Sequence, residues 1–189
     1  MMNRCHRPIC LVLIVLFSLT TFAEPVAEND RTTIDLRRTT LVVADIDTSL
    51  AFYRDALRMK VIYDRAINTP RGATNEEAEI ARRLVMLRAN DDYIGIIGLL
   101  QYIKPKKPRV DLEATAFHEG TMVLVFNTET LDESFAEASQ ISGVVVIDEP
   151  KLVEYPSYDG QGSISVMVST LQDPDGFTVE LNQLQEELH

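Results

Sequence analysis

The stretch Leu41-Val42-Val43-Ala44-Asp45-Ile46-Asp47-Thr48-Ser49-Leu50-Ala51-Phe52-Tyr53-Arg54-Asp55-Ala56-Leu57 changes its period partway along. Residues 39–44 are β-branched and apolar, which predicts a strand. Residues 45–57 instead place Leu50, Tyr53 and Leu57 at helical spacing, with Thr48 or Asp47 positioned to cap the start. A strand that feeds straight into a helix opens the fold.

Working outward, residues 60–63 resume strand character, Thr69-Pro70-Arg71-Gly72 breaks the chain, and residues 75–83 are expected as a short helix, acidic first and basic after. Residues 83–88 and 93–102 read as strands joined by the turn Asn90-Asp91-Asp92. After the connector the order repeats. Residues 120–127 predict a strand, 131–140 a helix, and 144–147, 164–171 and 177–181 three further strands. Each half is strand–helix–strand–strand–strand, which implies two modules forming one curved sheet. Residues 156–162, with Tyr155 and Tyr158, make a Gly-rich loop suited to a mobile lip over a pocket.

Residues 1–23 read as a secretory leader. Arg4, His6 and Arg7 give a positive start, and an apolar run extends from Ile9 to Phe17 and, diluted by Ser and Thr, to Phe22. Thr21-Phe22-Ala23 then supplies small residues at the minus-three and minus-one positions of a cleavage site. The run of about 14 residues falls short of the roughly 20 that span a bilayer, which favours cleavage over an uncleaved anchor. Cys10 stands at the beginning of the run, whereas a lipoprotein needs its cysteine just after it. An exported protein, periplasmic or secreted and free of the membrane after cleavage, is expected. Residues 24–35 form a polar, flexible lead-in.

Both cysteines, Cys5 and Cys10, lie in that leader, so the mature chain has neither a disulfide nor a thiolate metal site and must rest on a packed core. The formal charge is −11, and loss of Arg4 and Arg7 makes it −11 − 2 = −13. Such acidity argues against nucleic acid and anionic membranes as partners. The one basic cluster, Lys104-Pro105-Lys106-Lys107-Pro108-Arg109, reads as an extended, solvated connector rather than a polyanion site.

Two segments carry a family resemblance. Residues 41–57 closely resemble the first strand and helix of domains of the glyoxalase/bleomycin resistance protein/extradiol dioxygenase (vicinal oxygen chelate) superfamily. Asp173-Pro174-Asp175-Gly176-Phe177-Thr178-Val179-Glu180-Leu181 is similar to the turn and final strand of the second module. The resemblance covers residues 36–185: module one at about 36–103, a proline-rich linker at 104–117 and module two at about 118–185. It implies an α+β fold in which paired βαβββ modules form a curved mixed sheet around a cavity. The residues agree with it. Phe177, Val179 and Leu181 alternate with Thr178, Glu180 and Asn182, and Leu41 and Val43 oppose Arg38, Thr40 and Val42, so each strand has an apolar face for the helices and another for the cavity. Asp175-Gly176 reads as a structural tight turn.

Metal-dependent relatives hold a divalent ion through His, Gln or Glu side chains from four strands. The resemblance places those positions at Arg38, seven residues before the Asp that opens the helix, at Gly98 or a near neighbour, at Thr121 and at Glu180. Only Glu180 is a ligand type, because arginine stays protonated and cannot coordinate. No cofactor is therefore expected. The alternative is a divalent metal ion recruited through His118 or Gln101 by a strand bulge. Arg38 and Glu180 suggest either an ion pair replacing the metal or a site in which Arg38 orients an anionic or carbonyl-bearing ligand while Glu180 accepts a hydrogen bond or acts as a base. The remaining cavity wall, expected from Val42, Ile96, Gly98, Val123, Val125, Ser165 and Met167 with Tyr155 and Tyr158 at the lip, suits a small, partly hydrophobic molecule. Metal-independent small-molecule binding is the first expectation. A glyoxalase- or dioxygenase-like enzyme with an atypical metal site or Glu180 as base is the second, and a homodimeric interaction scaffold the third.

Overall fold

The computed structural model of the protein describes residues 27–110, 117, 119–157, 160 and 162–185. The leader, His118 and Tyr158 fall outside the described residues. Arg31 closes a first unit, whose described part is one 3-10 turn (Glu28–Asp30), and a second unit starting at Thr32 carries all that follows. No helix among the described residues is long and apolar enough to cross a membrane.

The first module contains β1 (Arg38–Val43), α1 (Ile46–Leu50), β2 (Lys60–Ala66), β3 (Ala81–Arg88) and β4 (Ile96–Lys104), and α1 runs on into a π-helical segment, Ala51–Ala56. The second contains β5 (Val123–Asn127), α2 (Leu131–Ala138), β6 (Val145–Pro156), β7 (Ser163–Gln172) and β8 (Thr178–Leu184). The architecture is α+β with the expected element order in each half. The strands form two four-stranded mixed sheets, ordered β1-β4-β3-β2 and β5-β8-β7-β6, rather than one. In each, the first strand pairs parallel with the last and the other pairings are antiparallel.

What joins the modules is their helical side. Leu41, Val43, Phe52, Tyr53, Val85 and Leu99 of the first share one buried cluster with Leu131, Leu171, Val179 and Leu181 of the second. Each such side chain stabilises the fold by roughly 1.5–3 kcal/mol relative to exposure. Phe52 meets Tyr53 edge to face, with centroids 5.0 Å apart.

Two local expectations are corrected. The cap of α1 is Asp45, whose Oδ1 accepts from Thr48 N at 2.9 Å and Thr48 Oγ1 at 3.1 Å. Those hydrogen bonds hold its carboxyl below the usual range. Asp47 is left free to accept from Arg83 Nη1 at 2.9 Å. The helix expected over 75–83 does not form. A single turn closes at Thr74–Glu77, and β3 begins at Ala81, because Arg83 is drawn into the sheet by paired bonds of 2.9 and 2.8 Å to Asp64 on β2.

Candidate functional site

With Leu41 and Val43 committed to the core, Arg38, Thr40 and Val42 face out of the opposite side of the first sheet. β4 alternates in step: Ile97 and Leu99 enter the core, while Gly98 lies beneath Arg38 and Thr40. A Cβ at Gly98 would stand 3.0 Å from Thr40 Oγ1 and 3.1 Å from Arg38 Cδ. The arginine stem thus fills the space that a side chain at position 98 would take. The guanidinium Nη1 rests 3.0 Å from Met86 Sδ, and no carboxylate among the described residues pairs with it.

Glu180 faces out of the second sheet, half-buried, opposite Val125 and Thr170, and accepts from Asn182 Nδ2 at 2.9 Å. No hydrogen bond or ion pair joins it to Arg38. The expected cross-brace is absent, because each group lies on its own sheet with its own partner there. Register corrects the cavity wall as well. Val166, Val168 and Thr170 share the Glu180 face, whereas Met167 packs against the core and Ser165 bonds to Glu154 across the other face. A shift of one residue along β7 exchanges the two sets. Tyr155 lies near the far end of β6, two residues past Val153 and exposed.

The modules carry a matched pair of bonds that sequence reading missed. Gln101 of β4 accepts from Ile46 N at 3.3 Å and donates to Ala44 O at 3.0 Å, tying down the start of α1. Gln183 of β8 accepts from Leu131 N at 3.1 Å at the start of α2. Gln101 follows Gly98 by three residues, as Gln183 follows Glu180, so Gly98 and Glu180 are equivalent positions. Counting back seven residues from each helix cap, Asp45 and Thr130, gives Arg38 and Val123. The counterpart of Arg38 is therefore Val123 and not Thr121, which precedes β5 altogether.

The turn before β8 is structural and also bridges the modules. Asp175 accepts from Ala44 N at 2.7 Å and Ser49 Oγ at 3.1 Å. Asp173, fully buried, accepts from Tyr53 OH at 2.8 Å and from its own turn at Asp175 N and Phe177 N, both 2.9 Å. Burial outweighs these donors and pushes the Asp173 carboxyl up to about 6. Burial, followed by the adjacent Asp173 charge, holds the Tyr53 phenol well above its ordinary value. Gly176, at φ 95°, supplies the left-handed residue of the turn. A recess of about 200 Å³ opens on this helical side, lined in part by Leu57, Arg58, Phe126 and Ser134. It is smaller than the roughly 300–1,000 Å³ of ordinary ligand pockets.

The profile of the Glyoxalase/Bleomycin resistance protein/Dioxygenase superfamily matches residues 35–181, and the chain belongs to that superfamily. Among solved structures it is similar to a glyoxalase family protein from Bacillus cereus, at 14% identity and a TM-score of 0.63, over 85% of this chain and 100% of the other. It is also similar to a point mutant of glyoxalase I from Zea mays, at 18% identity and a TM-score of 0.52, over 78% of this chain and 45% of that one. At these identities the likeness concerns the fold. No curated protein matches the chain in sequence.

The superfamily's metal does not fit the residues present. The four equivalent positions hold Arg38, Gly98, Val123 and Glu180, a cation, a hydrogen, an alkyl group and one carboxylate. The Arg38 stem also occupies the place of any donor at 98. Among the described residues, no three or more His, Cys, Asp or Glu side chains cluster as a metal site would require.

Proposed function

We propose that this protein binds a small, partly hydrophobic organic molecule on the outward faces of its sheets without a metal ion, and that it does so as an exported protein. The observation that carries the reading is Arg38 lying over Gly98, where a permanent cation replaces two metal-donor positions at once. Val42, on the Arg38 face of the first sheet, and Val125, on the Glu180 face of the second, stay exposed, at 49% and 57%, on faces that the shared core does not use. Exposed apolar side chains on a sheet face favour a ligand with an apolar body. Export rests on the basic start, apolar run and Thr21-Phe22-Ala23 of the leader.

Elemental analysis of the purified mature protein, followed by thermal-shift screening with small aromatic and carbonyl compounds, tests the binding reading. We expect substoichiometric zinc, nickel, iron and manganese, and stabilisation by a subset of compounds that chelator treatment leaves unchanged. Stoichiometric metal, or stabilisation that disappears with chelator, would overturn it. Intact-mass measurement of the protein from an export-competent host should place the mature N-terminus at Glu24. A retained residue 1 would overturn the export reading.

A further inference from the structure

The outward face of the first sheet has a charge pattern opposite to that of the whole chain. Register places Arg38, Thr40 and Val42 of β1 in line with Ile96, Gly98 and Leu100 of β4, and those in line with Arg88, Met86 and Leu84 of β3. On β2, Lys60, Tyr63 and Arg65 complete the same rows. The last row adds Tyr102 and Arg82. Every side chain that these rows turn outward is apolar, hydroxyl-bearing or cationic. The acid on β2, Asp64, points to the helical side, where it meets Arg83.

These cations are positioned but mostly not neutralised. Arg65 Nη1 donates to the Asp64 backbone carbonyl at 2.8 Å, and Arg82 Nε to that of Ile67 at 3.2 Å. A carbonyl fixes a guanidinium and leaves its charge in place. Among the described residues only Arg88 of this face meets a carboxylate, that of Asp92, which is 85% exposed and contributes little screening of a bound anion. The basic connector joins the face: Lys107 Nζ lies 4.9 Å from the centroid of the Tyr102 ring. Between the cationic ends, Val42, Leu84, Leu100, Met86 and the bare backbone of Gly98 form an apolar floor. It measures on the order of 10 Å across β1 to β3 and about 7 Å along them, within a face about 20 Å long from the Arg38 row to the Tyr102 row.

We infer that this face binds a small amphipathic anion, a flat apolar body bearing a carboxylate, sulfonate or phosphate that Arg38 engages. The inference rests on the small-molecule reading above and specifies its ligand class. Arg38 is the anchor because, among the described residues, its guanidinium meets only a thioether sulfur, so its donors are available to an anion at little cost in lost partners. The chain's formal charge of −11 does not oppose this locally, since fields beyond about 8–10 Å are screened at physiological salt.

The test uses the full mature chain and two dyes with the same ring system, 8-anilinonaphthalene-1-sulfonate and the uncharged N-phenyl-1-naphthylamine. The sulfonate should bind one per chain and at least ten-fold more tightly than the neutral dye, and weaken as sodium chloride rises from 50 to 500 mM. Arg38→Gln should weaken the sulfonate ten-fold or more and leave the neutral dye unchanged, while Arg38→Lys should fall between. Should Arg38→Gln shift the melting temperature by more than about 2 °C, Gly98→Glu, which sets a carboxylate against an intact Arg38, must give the same selective loss. Equal binding of both dyes, or sulfonate binding indifferent to both variants, would overturn the anion assignment and leave small-molecule binding standing. Binding of neither dye would overturn both.

Discussion

The two modules share a topology and even a helix-tethering glutamine, yet their outward faces differ in kind. The first sheet turns out Arg38, Arg65, Arg82 and Arg88 around an apolar floor, with no carboxylate of its own. The second turns out Thr170, Thr178, Asn182 and two acids, Glu180 and Asp148, the latter opposite Thr170 and paired with Lys151 at 2.8 Å. Their inward faces merge into one core. Packing therefore constrains one side of each sheet to alternating apolar residues and leaves the other side to chemistry, as expected where function is grafted onto a fold. Equivalent positions Gly98 and Glu180 have diverged from a hydrogen to a carboxylate, and Arg38 occupies the room that the first leaves open.

The sharpest way to break this comparison is to separate the merged side. Asp173→Ala leaves Tyr53 OH, Asp175 N and Phe177 N without their acceptor, and should destabilise the protein by about 3 kcal/mol. Calorimetry should read that as a fall in melting temperature of roughly 6 °C or more. A smaller loss would mean that the turn does not hold the modules together.

A second measurement concerns pH. The Asp173 carboxyl titrates near 6 when folded, against an ordinary value of 3.8. Below about pH 4 it is protonated in both states and burial costs nothing. As pH rises from about 4 to 6 the unfolded chain ionises first, so stability falls, and above 6 the full cost remains. Relative to Asp173→Asn, which does not titrate, the wild-type chain should lose on the order of 2–3 kcal/mol between pH 4 and 7 in urea titrations. A flat difference would contradict the buried, ionisable bridge.

Gly98→Glu makes the first module imitate the second. A Cβ there would crowd Thr40 Oγ1 at 3.0 Å and Arg38 Cδ at 3.1 Å, so the Arg38 stem must shift and stability should fall by about 1–3 kcal/mol. Sulfonate-dye binding should also weaken about ten-fold, which is ~1.4 kcal/mol. The smallest effect is expected at Ser169→Ala. That hydroxyl is fully buried on the core side of β7 with no partner among the described residues, so its removal should raise stability by about 1 kcal/mol.

Strand and helix order was legible because period 2 and period 3.6 are written locally in residues 41–57 and 177–181. The outward parity of Arg38 and Glu180 followed from the same alternation. Parity failed at Ser165 and Met167, where β7 begins at Ser163 and the phase cannot be set without knowing which neighbours are buried. It failed differently at residues 75–83, where a pairing of Arg83 with Asp64, distant in sequence, outweighed a local helical tendency. Thr121 was misplaced because the two modules had to be aligned by pattern, and only the caps Asp45 and Thr130 give the count that selects Val123.

The sequence by itself thus determined the superfamily, the element order and the absence of family ligand types at Arg38 and Gly98, because these depend on residue identity and short-range period. Only the tertiary structure decided that the strands close into two sheets, that Asp173 and Asp175 grip the helix of the other module, and that arginines scattered from position 38 to 88 converge on one face. Those outcomes depend on register between strands far apart in the chain, and register is a property of pairing rather than of any one segment.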